Sequence, residues 1–320
     1  MLRSFLSRFG VGSKGKRPAT VPRRPIPAAP PGPEQVRPEE ADRLKLPPEA
    51  ADFLRALVRT PASSDLQALP PDDRIFLAEI MKRLRENTLE IPVLPHTAIE
   101  VSRLLADPRS NLGDFVKAIE SDPALSVSIL RIANSAFYGF SGQTNSLRDG
   151  VFRIGLSQLR TIVILSHLQG KVLQTGLFER EVSWLSDLSL AMARLGQLLA
   201  TDLGLEPSVA FTQGTLWHLE HFLILGTLAE VARHHRVKTH PSEACLHEAF
   251  YRFGPKIREL ASRLWELEEL LGRNREESEV AARYEQLQRA LIAEWTGEDL
   301  PQEVDGVSPQ RLRDVLMKLC

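Results

Sequence analysis

A chain of 320 residues with 43% hydrophobic side chains can bury cores for about two domains of ordinary size. Its 40 Lys and Arg against 41 Asp and Glu leave a net charge of -1, which excludes a global field drawing it onto nucleic acid or acidic membranes. Cys245 and Cys320 form no disulfide framework and suit a reducing cytosol, and no apolar run approaches the roughly 20 residues that span a bilayer. A cytoplasmic protein is expected.

Met1 to Gly10 sets Leu2, Phe5, Leu6 and Phe9 among Arg3 and Arg8. The spacing could form one short amphipathic helix on a membrane or partner, but so short a helix is marginal alone, and the reading is a frayed tail. It lacks the continuous apolar stretch of a secretory signal. Residues 11–48 are rich in Pro, Ala, Gly and Arg, with Pro25 to Pro33 unable to form a helix, so 1–48 is expected as a disordered tail. Residues 49–86 predict two short helices, one striped by Phe53, Leu54 and Leu57. The other carries Ile75, Phe76, Ile80 and Leu84, entered through Pro70-Pro71-Asp72-Asp73.

From about residue 90 the helix signals are dense. Asn111 with Asp114 makes a capping box ahead of Leu112, Phe115, Val116 and Ile119. Asp122-Pro123 pairs an N-cap with a first-turn proline, and Leu125, Ile129, Ile132 and Ala136 follow on one face. Gly139 and Gly142 break the chain. Ser146 with Asp149 starts the next helix, Gly155 ends it, and Ser157 is the expected cap of a helix carrying Leu159, Ile162, Val163 and Leu165. A long helix is expected over about 183–203, then a helical stretch from Pro207 to about 235. Helices at about 242–252 and 256–271 follow, then 275–296 with Val280, Tyr284, Leu287 and Leu291, and 308–319 capped by Ser308-Pro309. No alternating strand pattern or fixed-period repeat is present. The fold class is all-α, divided as a tail (1–48), a short helical segment (49–86), a main domain (87–272) and C-terminal helices (273–320).

The main domain resembles the HDOD family, the HD-related output domain of bacterial signalling proteins. The matching elements come in order: Leu94-Pro95, Asp122-Pro123-Ala124-Leu125, Leu130-Arg131-Ile132-Ala133-Asn134-Ser135, Phe137-Tyr138-Gly139, Ser146-Leu147-Arg148-Asp149, Ile154-Gly155-Leu156 and Leu159-Arg160. The match is good over about 90–170, traceable to 240 and lost beyond it. The resemblance implies a two-lobed helical domain related to HD phosphohydrolases, usually without their metal site. Those enzymes hold a divalent metal with an early His, a His-Asp pair and a later Asp, so that metal-bound water attacks phosphate. By the resemblance the early His falls at Leu188. The pair falls at His218-Leu219, with leucine where the Asp would stand. A leucine donates nothing to a cation, so no catalytic residues and no cofactor are expected.

Other histidines offer alternative ligands. His218 and His221 lie three apart, on one helical face, with Glu220 expected to point elsewhere. His234 and His235 lead a looser cluster with His240, Cys245 and His247 that matches no zinc spacing. The segment Ile154 to Arg160 has the outline of a helix-turn-helix joint, but Ile162-Val163-Ile164-Leu165 suits burial better than a DNA groove, and nucleic acid is not expected as a partner. The expected function is non-catalytic signalling through a protein partner still to be identified, with a cyclic nucleotide as the other ligand class. A phosphohydrolase with a rearranged site is the alternative. Asn134, Phe137, Tyr138 and Phe140, on a glycine-bounded loop, are the candidate partner-binding residues, although plugging a seam between the lobes accounts for the aromatics better. The helix over 277–295 is a second docking candidate, with packing on its own chain preferred.

Overall fold

The computed structural model of the chain describes Ala50, Phe53, Leu54 and Leu57, and residues 66–138, 142–174, 176–268, 279–298 and 304–319. The expected tail of 1–48, the Met1–Gly10 helix, Gly139, Phe140 and Cys320 lie outside them. The described residues form twelve α-helices and no strand. In chain order these are α1 (Pro71–Arg85), α2 (His96–Ala106), α3 (Leu112–Glu120), α4 (Pro123–Ala133), α5 (Leu147–Ile154), α6 (Leu156–Leu173), α7 (Glu179–Leu198), α8 (Pro207–Thr215), α9 (Leu219–His235), α10 (Glu243–Leu264), α11 (Glu279–Thr296) and α12 (Pro309–Leu319). None of these helices is long and apolar enough to cross a membrane.

Local chemistry sets several of the starts. Asn111 and Asp114 make a reciprocal capping box at α3, Asp122 accepts from the Leu125 amide ahead of Pro123 at α4, and Ser146 accepts from the Asp149 amide at α5. Helix α6 is the axle of the fold. It packs on α2, α4 and α5 to one side and on α7, α8 and α9 to the other, which gives the expected two lobes. Its Ile162, Val163, Ile164 and Leu165 are all at most 2% exposed, so it is a core helix and has no face free to read a groove in DNA. Helix α1 docks on α9 and α10 through Phe76, Leu77 and Ile80, while α11 and α12 lean on α7. Tyr284, Leu287 and Leu291 of α11 are wholly buried against their own chain.

Helices α7 and α8 meet without side chains between them. At Gly214 a Cβ would overlap the Met192 carbonyl oxygen and lie 2.6 Å from its carbon and 2.7 Å from the Ala193 Cα. Tyr284 seals this crossing by donating its hydroxyl to the Ala210 carbonyl at 2.6 Å.

Four boundaries differ from the sequence reading. Ser157 is not the cap of α6; Gly155, at φ +88°, occupies that position and turns the chain directly from α5 into α6. The long helix starts earlier, at Glu179, and stops at Leu198, with residues up to Gly204 in turns. The stretch from Pro207 is two helices, broken at 216–218. The two helices expected around Pro255 are one, α10. A proline there costs the carbonyl one turn back its partner, but that residue, Tyr251, lies on the exposed side, where water can serve.

Candidate functional site

The break between α8 and α9 gathers the polar interior. His218 is the N-cap of α9 and fully buried, with its Nδ1 3.4 Å from the Ser189 hydroxyl of α7. The His221 ring stands 5.5 Å from that of His218, tilted by 56°, and Phe250 of α10 meets it edge-on at 4.6 Å. Contrary to the sequence reading, Glu220 does not point away. Its Oε1 lies 3.7 Å from His221 Nδ1 and its Oε2 accepts from Arg258 Nη1 at 2.7 Å. The same nitrogen lies 3.3 Å from the carbonyl oxygens of Leu216 and Trp217, at the point where the regular helical ladder stops. Trp217 then donates to Gln288 of α11 at 2.6 Å and stacks on Tyr284. Glu248 of α10 is 1% exposed and pairs with Arg252. One buried arginine thus closes the loop that carries His218, and neither its charge nor that of Glu220 faces water.

Leu188 and Leu219 are apolar and interior, at 0% and 1% exposure. Among the described residues no three His, Cys, Asp or Glu side chains converge on one point. His234 and His235 are on the surface at the end of α9, far along the helix from His218, and His235 Nε2 lies 3.8 Å from Glu79 of α1. His234 borders an open groove of about 660 Å³ between α1 and α9, whose walls mix Lys82, Arg233 and Arg236 with Glu86, Glu90 and Glu230. Cys245 is buried, with its thiol 3.7 Å from the Asp73 carbonyl, and burial holds it far above the range in which a thiolate forms.

The candidate partner loop is built around Asn134. Its amide nitrogen donates to the Thr144 carbonyl and its Oδ1 accepts from the Thr144 amide, each at 2.8 Å. Arg153 adds bonds to Asn134 Oδ1 and to the Gly142 carbonyl. Phe137 and Tyr138 are at most 8% exposed, so they are not surface anchors. A short 3-10 turn (Ala136–Tyr138) lays them against α7, where Arg194 stands 5.8 Å over the Tyr138 ring. The reason is apolar area: in this turn the rings gain more from the inter-lobe seam than from water.

Beside Leu188, Asp187 lies on the seam near Arg131 of α4, which bonds Gln169 of α6 at 2.8 Å. Burial pushes the Asp187 carboxyl up from 3.8 to about 6, with Arg131 pulling the other way. A raised carboxyl helps stability fully below its unfolded value, and that help is lost as pH climbs through about 6. The neutral isostere should therefore gain where the carboxylate is charged. Asp187→Asn is expected to stabilise the fold by about 1–3 kcal/mol near pH 8, by roughly half of that near pH 5 and by little near about pH 3.5, as read by urea unfolding at the three pH values.

The sequence profile of the HDOD domain matches residues 91–278. A protein of unassigned role from Treponema pallidum (strain Nichols) is 32% identical over 112 residues, which are 35% of this chain and 22% of that protein, so the chain spans about a fifth of that relative's length. A crystal structure from Shewanella amazonensis, provisionally named a metal-dependent phosphohydrolase, superposes with a TM-score of 0.54 at 20% identity, covering 78% of this chain and 98% of that one. A Marinobacter aquaeolei structure, provisionally named a signal transduction protein, gives 0.49 at 23% identity, covering 79% and 64%. At such identities the superposition with the Shewanella protein speaks for the fold alone.

Proposed function

Because this chain belongs to the HDOD domain family, we propose that it is a cytoplasmic signalling module that acts by holding a protein partner and turns over no substrate. The observation that carries this reading is the burial of Leu188 and Leu219, at the positions that the family resemblance gives to HD ligands. The polar groups beside them support it, because they are engaged with one another. His218 meets Ser189, and Glu220 is committed to Arg258. The loop from 134 to 144 is the proposed docking face, with Asn134 bonded to Thr144 across its ends and with Phe140 as its candidate aromatic anchor.

A second reading has one observation in its favour. His218 and His221 lie with ring centroids 5.5 Å apart, beside a carboxylate, on a fold shared with the Shewanella protein. It is a metal-dependent phosphohydrolase with a rearranged site. Metal content and phosphodiester turnover of the purified full chain, with Mn²⁺ or Mg²⁺ supplied, separate the two. The expected result is no turnover above the metal-only background, together with a specific protein captured by crosslinking. Turnover that His218→Ala abolishes would establish the hydrolase and overturn the binding module.

A further inference from the structure

The connection between α9 and α10 crosses three helix N-termini as a strap. Thr239 donates its hydroxyl to Asp72 of α1 at 2.6 Å. Ser242 donates its amide at 3.2 Å and its hydroxyl at close range to Asp73 of α1, and also caps α10 by accepting from the Cys245 amide. Between them His240 reaches α7, where its Nε2 lies 3.1 Å from Glu181 and its ring meets Phe178 edge-on at 5.1 Å. Its other nitrogen, Nδ1, lies 2.8 Å from the Pro241 carbonyl oxygen. Both ring nitrogens therefore face atoms that can only accept, a carboxylate and a carbonyl. A neutral imidazole carries one N–H and can satisfy one of them; the imidazolium satisfies both.

The geometry points to a proton-operated clasp: the strap 239–242 closes onto the starts of α7, α1 and α10 while His240 is charged, and loosens when His240 gives up its proton. The groups facing His240 fit that direction. Glu181 from α7 and Asp73 from α1 are both negative, Phe178 is apolar, and the strap itself contributes the Pro241 carbonyl. Glu181 is only 13% exposed, so loss of its cationic partner leaves a carboxylate poorly hydrated. The bond to Glu181, followed by the Pro241 carbonyl and the charges of Glu181 and Asp73, holds the imidazole above its ordinary 6.5 against a lesser effect of burial. The contribution of the clasp is full below 6.5 and fades as pH rises through that higher value. The ring is 42% exposed, so the effect is local. Helix α1 keeps its apolar seat through Phe76 and Ile80, both at 0% exposure. This inference does not depend on whether the domain binds a partner or hydrolyses a substrate.

Hydrogen exchange by mass spectrometry on the full chain tests it, comparing about pH 6 with about pH 9 after correction for intrinsic rates. Protection of the amides over 238–245 is expected to fall about tenfold, with α1 residues 76–84 unchanged. His240→Gln is expected to show the lower protection at both pH values, and Glu181→Gln to weaken the pH dependence. Equal protection in the unmodified chain at the two pH values would overturn the clasp, as would a pH dependence that survives intact in His240→Gln. If that variant does not fold, NMR titration of the His240 ring proton in the unmodified chain decides. A midpoint above 6.5 is expected, and one at or below it overturns the proposal.

Discussion

Gly214→Ala is expected to destabilise the protein by about 2–4 kcal/mol, although alanine is the better helix former by about 1 kcal/mol. The reason is what the added methyl meets. At this crossing the neighbour is the backbone of α7, at the Met192 carbonyl and the Ala193 Cα, and backbone cannot rotate aside as a side-chain tip can. The helices must separate, which loosens the crossing that Tyr284 seals. Thermal unfolding should show a fall in Tm on the order of 3–8 °C. Gly170→Ala is the matched control. Gly170 lies in α6 with nothing within 4 Å of the place a methyl would take, so the same substitution should stabilise by up to about 1 kcal/mol. Equal effects at the two positions would refute the close-approach explanation.

Arg258→Met should cost about 3–5 kcal/mol, because it strips the partner from a buried carboxylate. Arg258 and Glu220 are 7% and 4% exposed, and the guanidinium also serves the carbonyls of Leu216 and Trp217. Removing the charge alone leaves Glu220 ionised in the interior with His221 beside it. Removing both charges, in Glu220→Leu with Arg258→Met, should recover more than half of that loss, since the pair spends much of its attraction on its own desolvation. Recovery short of complete is expected, because the two carbonyls lose this donor in either variant. Urea unfolding of the two single variants and the double variant gives the coupling directly. A single Arg258→Met variant as stable as the unmodified protein would show that this cluster does not hold the α8–α9 break.

How far each feature could be read from the chain follows from the range of the forces involved. The starts of α3, α4 and α5 were legible because a cap and its target amide lie within three residues, inside one turn, wherever the helix later packs. The assignment of Leu188 and Leu219 to ligand positions comes from the family resemblance alone, in the stretch beyond its ordered motif. Phe137 and Tyr138 fill the seam because their apolar area is worth more there than in water, a preference that the aromatic side chains themselves carry. The direction of Glu220 was not legible: its partner is 38 residues away, and sequence spacing says nothing about which arginine a distant helix will present. The strap is harder still, since Ser242 meets Asp73 across 169 residues of chain.

What the sequence alone determined is the all-helical class, the family and the main caps, because apolar period, motif order and capping are properties of a side chain and its near neighbours. Only the tertiary structure decided that Gly214 is a contact between two backbones, that Glu220 and Arg258 neutralise each other, and that His240 faces two acceptors. Each of those depends on where packing brings distant segments together, and burial then multiplies the strength of whatever electrostatics it encloses.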